Sequence, residues 1–192
     1  MLFRSRDGAV RVLNGLSRAL LSSYKNTFEM LSDPRYHALF DRQVSTALRE
    51  HIPWTRAVRD RTTQYRGKNI DLLPFIADHQ EEFVLKPGGG RGGAGVVLGW
   101  NCTAEAWKAT LRRAQVQSYV VQERVRGLDI APFHVLDGET ICIRELSADF
   151  NPFVWNGSRA EGCFVRLSST KLQNLAAGGS IAAVWILEED AP

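Results

Sequence analysis

Seven glycines fall between Gly88 and Gly99, and two short runs of strand type, Phe83–Lys86 and Val96–Leu98, enclose most of them. Glycine lets main-chain N–H groups approach an anion closely and adopts positive φ without a Cβ clash. A strand that ends in a lysine, followed by a glycine loop and a second strand, therefore predicts a hairpin that binds nucleotide phosphates. Arg91 at the loop tip can add a second cation. An ordinary flexible hairpin with a surface lysine is the alternative.

Three better-known nucleotide motifs do not fit this loop. No Gly-Lys-Ser/Thr follows it, as a P-loop requires. The G-x-G-x-x-G match at Gly88, Gly90 and Gly93 leads into a strand, whereas a dinucleotide-binding fold needs a helix there. A kinase would place its lysine on the following strand and supply an H-R-D loop later, and the sequence has neither.

The spacing of apolar residues predicts helices in the first half and antiparallel strands in the second, which indicates the α+β class. The first half has a strand over 10–13, helices over 16–31, 38–49 and 69–80, and an extended connector over 52–56. The second half has a helix starting at Thr103 and strands over 119–125, 130–136, 141–145, 150–155, 163–167 and 181–187. The predicted regions are 1–82, mainly helical, 83–125, with the glycine loop, and 126–192, rich in strands, together in one structural unit.

The amino-acid composition of the chain excludes some classes of function. With 192 residues, 44% of them hydrophobic, the chain can form one core or two small lobes around a cleft. A net charge of +3 with mixed signs argues against a dedicated nucleic-acid binder, although an RNA-associated protein using the basic segment 56–68 is a weaker alternative. No apolar run approaches the roughly 18 residues of a membrane helix. Cys102, Cys142 and Cys163 lack metal or disulfide spacing, which favours a reduced cytoplasmic compartment.

The central block resembles the ATP-grasp superfamily, through Phe-Val-Leu-Lys-Pro, the glycine loop, Gly-Val and then Tyr-Val-Val-Gln-Glu-Arg-Val after a helix. The order of the pieces is similar to the circularly permuted group that includes glutathionylspermidine synthase-like carboxylate–amine ligases. Leu-Leu-Ser-Ser-Tyr-Lys, His-Ile-Pro-Trp-Thr-Arg, Arg-Leu-Ser-Ser and Asn-Leu-Ala-Ala-Gly-Gly-Ser support it. The resemblance runs from about Gly8 onward and implies an ATP-grasp-like fold whose two lobes enclose a nucleotide cleft, with 83–125 in the first lobe.

The resemblance implies a role for each matching residue. Lys25 and Lys86 would be the two lysines that bind the phosphates of ATP. Gln122, Glu123 and Val125 match the segment between the lobes that holds adenine through its backbone and ribose through a carboxylate. The mobile loop would comprise Gly90, Gly92, Gly93 and Gly95. The implied cofactors are ATP and Mg²⁺.

The magnesium ligands are the point at which the sequence departs from the family pattern. In the permuted enzymes they lie in an acidic cluster before the first lysine, whereas only Asp7 and Asn14 precede Lys25 here. Either the ligands lie on a missing N-terminal portion, which would make the chain a C-terminal fragment, or Asp149 and Asn151 serve instead. These two offer an oxygen pair at i and i+2 on one strand face, although a structural turn explains them equally well.

The predicted function is the ATP-binding part of an ATP-dependent carboxylate–amine ligase that works through an acyl-phosphate. Arg166 and Asn174 are the predicted catalytic residues, and with Arg144 they could hold the acyl-phosphate or the carboxylate. The expected partners are small-molecule carboxylate and amine substrates, and neither a membrane nor a nucleic acid is expected. The alternative is an ATP-grasp remnant that binds nucleotide or a partner protein without chemistry.

Overall fold

The structure is a computed structural model that describes residues 23–90, 92–126, 130–155, 157–170 and 178–184. The chain forms two compact units, Met1–Val125 and Arg126–Pro192. Their sheets are antiparallel, and the described helices all lie in the first unit, so the class is α+β as expected. The predicted strand over 10–13 and the beginning of the predicted helix over 16–31 lie outside the described residues.

Two short helices open the described part of the first unit. Helix α1 spans Thr27–Ser32, and Asp33 then caps a 3₁₀ helix over Pro34–Leu39 by accepting from the Arg35 N–H at 3.0 Å. The predicted stop at Ser32-Asp33-Pro34 is therefore confirmed. Helix α2 spans Arg42–His51, later than the predicted 38–49, because the 3₁₀ turn and an extended Phe40 come first. None of the described helices is long and apolar enough to cross a bilayer.

A four-stranded antiparallel sheet organises the first unit. Its strands are β1 (Thr55–Ala57), β4 (Phe83–Pro87), β5 (Val97–Leu98) and β6 (Tyr119–Glu123), in the order β1-β6-β4-β5. Gln122 pairs with both Val84 and Thr55, and Lys86 pairs with Val120. Because side chains alternate along a strand, Lys86, Gln122 and Thr55 lie on one face. Strands from the predicted regions 1–82 and 83–125 thus share this sheet.

The opposite face of the sheet carries the main core. Phe83, Leu85 and Val121 are fully buried there against α3 (Leu72–Asp78) and α4 (Ala104–Val116). Trp107 on α4 is fully buried and donates its ring N–H to the Ile76 carbonyl at 2.9 Å. As predicted, Thr103 caps α4, accepting from the Ala106 N–H at 3.3 Å. This core holds the sheet in place beneath the Lys86 face.

Three expectations for the first half need correction. The predicted helix over 69–80 begins only at Leu72, because β2 (Thr62–Tyr65) and β3 (Lys68–Asp71) form a hairpin. Its two-residue turn has positive φ at both positions, +47° at Arg66 and +79° at Gly67, as a primed hairpin turn requires. The connector over 52–56 runs into strand β1. The described part of the first half therefore mixes strands with helices and is not mainly helical.

The second unit is a four-stranded antiparallel sheet in the order β10-β9-β8-β7. The strands are β7 (Ala131–Asp137), β8 (Thr140–Trp155), β9 (Arg159–Ser168) and β10 (Ser180–Ala182). The two strands predicted over 141–145 and 150–155 are one continuous strand, with a pairing irregularity between Pro152 and Val154. The small core of the second unit contains Leu146, Val165 and Leu167. The end of the strand predicted over 181–187 lies outside the described residues.

Candidate functional site

The segment that precedes α1 is fixed to the start of the glycine loop. The Lys25 main-chain N–H donates to the Gly88 carbonyl at 2.9 Å, and the Gly88 N–H donates to the Ser118 carbonyl at 2.7 Å. A Cβ on Gly88 would lie 2.6 Å from Asn26 Oδ1 and 3.3 Å from the Ser118 carbonyl oxygen, so a side chain here would displace its neighbours. A Cβ on the next residue, Gly89, would touch the Tyr24 ring at 3.4 Å. Residues 24–26 and the end of β4 therefore form one joined surface.

The rest of the loop turns in conformations that favour glycine. Gly92, Gly93 and Gly95 have φ of +61°, +76° and +73°. At Gly95 a Cβ would also lie 2.8 Å from the Pro87 ring. Arg91 lies outside the described residues. The loop between β4 and β5 thus has the left-handed conformations and the lack of side chains that close approach of an anion to its N–H groups requires.

The two predicted lysines lie at this loop. Lys25 Nζ donates to the Gly90 carbonyl at 2.7 Å, and Lys86 Nζ donates to Gln122 Oε1 at 2.5 Å. Burial lowers the pKa of Lys25. Burial, and then the positive charge of Lys25, lowers the pKa of Lys86, so the two ammonium groups are close enough to repel each other. Among the described residues, the groups that hold them are neutral oxygens rather than carboxylates.

Glu123 is not brought to the lysines. It follows Gln122 on β6 and lies on the opposite face, where its Oε1 accepts from Arg66 at 2.7 Å and lies 2.9 Å from the Tyr65 hydroxyl. Burial, followed by the hydrogen bond to Glu123, raises the pKa of Tyr65. Val125 is 67% exposed, beyond the end of β6. The structure thus separates the Glu123 carboxylate from the Lys86 and Gln122 side chains.

Sequence reasoning missed a cleft at this end of the sheet. The cleft has a volume of about 550 Å³, and Trp54, Tyr65, Glu123 and Val125 are among the residues that line it. His37 also lines it, and its Nε2 is buried without a hydrogen-bond partner in the described part of the chain. No sequence signal points to the cleft, because its walls come from segments far apart in the chain.

Three predicted residues of the second unit come together on β8 and β9. Asp149 pairs across the strands with Arg166, which donates from Nε to Oδ1 at 3.0 Å and from a terminal nitrogen to Oδ2. Asn151 Nδ2 donates to the same Oδ1 at 3.0 Å. Burial raises the pKa of Asp149, but the hydrogen bonds from Arg166 and Asn151 outweigh it and leave this pKa below its usual value. Both oxygens of Asp149 are therefore engaged by protein donors.

The described residues of the second unit leave two further predictions without a site. Arg144 forms an ion pair with Asp137 at an exposed position of the sheet. Asn174 lies outside the described residues. In the parts of the chain that the structure describes, no group of three or more histidine, cysteine or acidic side chains could hold a metal ion.

Two of the five cationic side chains of the basic segment 56–68 are held inside the first unit. Arg56 is 1% exposed, donates to the Thr55 carbonyl at 2.7 Å and lies over the Trp54 ring. Arg61 forms an ion pair with Glu29 at 2.5 Å. Arg66 is engaged by Glu123, as described above. These contacts hold the Arg56 and Arg61 guanidinium groups within the first unit, whereas Arg59, Arg66 and Lys68 are exposed.

Comparison with known proteins adds no information about this site. No protein-family model matches the chain, and no curated protein sequence matches it. The candidate site comprises Lys25, Lys86, Gln122 and the described residues of the glycine loop, 88–90 and 92–95.

Proposed function

We propose that the first unit binds ATP, as the nucleotide-binding part of an ATP-grasp carboxylate–amine ligase. The observation that carries this proposal is that Lys25 contacts the glycine loop and Lys86 lies on the strand that leads into it, near enough for the charge of Lys25 to act on it. Both lysines are partly withdrawn from water, and the described groups that hold them are uncharged. Two such cations beside a glycine loop favour a ligand with several negative charges.

Electrostatics supports a polyphosphate over a single carboxylate. The two ammonium groups repel each other, and this repulsion strengthens when water is excluded. A chain of phosphates supplies one negative charge to each cation and removes the repulsion, whereas one carboxylate can neutralise only one of them. Lysine binds a phosphate as a compact point charge, and glycine N–H groups can hydrogen-bond the remaining oxygens.

In the proposed reaction, a carboxylate oxygen attacks the γ-phosphorus, and the bond from that phosphorus to the ADP oxygen breaks. An amine nitrogen then attacks the acyl carbon, the bond to the phosphate oxygen breaks, and the amine loses a proton. Lys25 and Lys86 hold and neutralise the phosphates during the first step, which is an orientational and electrostatic contribution. The free thiols of the three cysteines fit the reduced cytoplasm, where ATP is abundant.

Mg²⁺ accompanies nucleoside triphosphates, but Asp149 and Asn151 do not fit a site for it. Arg166 occupies both oxygens of Asp149, and the amide nitrogen of Asn151 faces that carboxylate. This same observation favours a second candidate function, an ATP-grasp remnant that binds nucleotide without chemistry.

Calorimetric titration with ATP, with and without Mg²⁺, tests the binding proposal. Lys25→Met and Lys86→Met keep the apolar stems, and each is expected to weaken binding by about 10- to 100-fold, since a hydrogen bond to a charged group contributes about 1.5–3 kcal/mol. Lys108→Met, on the exposed side of α4, is the matched control and should bind ATP like the original chain. Equal affinities in all four proteins would refute the site. ADP release that requires both a carboxylate and an amine then separates the ligase from the remnant.

A further inference from the structure

A chain of three hydrogen bonds runs from the backbone to the Lys86 ammonium. Thr55 Oγ1 donates to the Pro53 carbonyl at 2.9 Å, Gln122 Nε2 donates to Thr55 Oγ1 at 2.9 Å, and Lys86 Nζ donates to Gln122 Oε1 at 2.5 Å. Thr55 is fully buried and Gln122 is 7% exposed, so the protein itself must satisfy most of their hydrogen bonds.

The direction of this chain is fixed by what each group can donate. The Pro53 carbonyl can only accept a hydrogen bond, so the Thr55 hydroxyl donates its one hydrogen there. That hydroxyl can then only accept from Gln122, which places the NH₂ of the Gln122 amide toward Thr55 and its oxygen toward Lys86. The reverse orientation would aim the NH₂ group at an ammonium group and leave the Thr55 oxygen facing a carbonyl oxygen. The Thr55 hydroxyl and the donor-only ammonium thus require the same orientation of the amide, and Thr55 anchors it from the buried end.

We propose that Thr55 is a positioning residue for Lys86, acting through Gln122. By holding the amide through its NH₂ group, Thr55 keeps a neutral oxygen beside the ammonium on the face of the sheet that carries Lys86, so that the charge stays available to an anion. This inference rests on the proposed function for its biological meaning, because the anion in question is the phosphate chain of ATP. The hydrogen-bond chain itself belongs to the ligand-free protein and is testable there.

Nuclear magnetic resonance of the lysine side chains tests the relay without nucleotide. Loss of one signal in Lys86→Met assigns the Lys86 resonance. Thr55→Val keeps the shape and removes the hydroxyl, and the midpoint of the Lys86 titration should fall by about one pH unit, because the ammonium loses its fixed acceptor. Thr55→Ser keeps the hydroxyl and should restore the original midpoint. Lys25 is the charged group whose field acts on Lys86, so its own signal is followed in the same spectra.

Thr110→Val controls for the loss of a buried threonine hydroxyl. Thr110 lies on α4 and donates to the Ala106 carbonyl at 2.9 Å, so its removal should leave the Lys86 titration unchanged. An unchanged Lys86 midpoint in Thr55→Val, or an equal fall in Thr110→Val, would overturn the proposal.

ATP titration of the same proteins gives the functional readout. We expect Thr55→Val to bind ATP about fivefold more weakly and Thr55→Ser and Thr110→Val to bind it normally, as one neutral hydrogen bond contributes that much. If the original chain binds no ATP, the proposed function fails while the resonance experiment still decides the relay. If the original chain binds ATP and Thr55→Val binds it equally well with an unchanged Lys86 midpoint, the relay alone fails.

Discussion

Glu29 anchors the helix that follows Lys25, and its removal should destabilise the first unit strongly. Glu29 lies four residues after Lys25, on α1. Its Oε2 accepts from the buried N–H of Ala57 at 2.9 Å, and its Oε1 pairs with Arg61 at 2.5 Å. The two side chains are 10% and 19% exposed, so water compensates little when either is lost. The Glu29 carboxylate therefore joins α1 to strand β1 and to Arg61, which directly precedes strand β2.

The expected loss in the free energy of unfolding follows from the groups that each Glu29 variant leaves unpaired. Glu29→Ala leaves a buried N–H without an acceptor, at about 1–3 kcal/mol, and a mostly buried guanidinium without its carboxylate, for which breaking a buried pair costs about 3–5 kcal/mol. These costs overlap, and Arg61 keeps some exposure, so we expect a loss of about 3–4 kcal/mol. Glu29→Gln keeps an oxygen for the Ala57 N–H and should lose about 1–2 kcal/mol. The Arg35 contact at 3.8 Å adds little, because Arg35 is 62% exposed.

Urea unfolding followed by circular dichroism measures these differences through linear extrapolation. Arg61→Met completes a double-mutant cycle, and it also removes a buried Nε that has no partner in the described part of the chain. In the Arg61→Met background, Glu29→Ala should cost at least 1 kcal/mol less than it does in the original chain. A Glu29→Ala loss below about 1 kcal/mol, or additive effects in the double variant, would refute the idea that this pair holds α1 to the sheet.

Three other features give predictions of stability. A Cβ on Gly99 would lie 1.8 Å from the Gln80 carbonyl oxygen, so Gly99→Ala should cost more than about 2 kcal/mol by urea unfolding, whereas Gly89→Ala, with its nearest contact at 3.4 Å, should cost less than half of that. Burial raises the pKa of Asp33, but hydrogen bonds from Arg35 and the charge of Arg56 outweigh it and leave the pKa below its usual value. Asp33 therefore contributes stability above about pH 4 that is lost as the pH falls through its folded pKa, and Asp33→Asn should flatten the acid limb of a melting-temperature profile. Trp107→Phe loses the 2.9 Å hydrogen bond to Ile76 and part of a buried ring, and calorimetry should show a loss of about 2–3 kcal/mol.

Local signals predicted the elements that depend on neighbouring residues. The stop at Asp33, the cap at Thr103 and the strand that carries Lys86 each follow from chemistry within a few positions. The hairpin over 62–71 was missed because its turn is Arg66-Gly67 rather than a common Asn-Gly pair, and because Leu72 and Leu73 extend an apparent helical pattern backward.

The contacts that define the candidate site depend on strand register, which the sequence does not display. The glycine loop pointed to Lys86, yet only the pairing of β4 with β6 places Gln122 beside it and turns Glu123 away. The edge position of β1 then supplies Thr55 from 67 residues earlier in the chain. These pairings result from burial of Phe83, Leu85 and Val121 on the other face, a tertiary effect that no single segment reports.

Because side chains alternate along β6, the charge beside Lys86 depends on the pairing register between β4 and β6. An amide and a carboxylate occupy consecutive positions, 122 and 123, and face opposite sides of the same strand. If β6 slipped by one residue, a negative group would replace the neutral one beside the ammonium and cancel its charge, with no change in composition. The short turn between α4 and β6, at Gln117 and Ser118, is therefore the place where one deleted residue would bring a carboxylate beside the Lys86 ammonium.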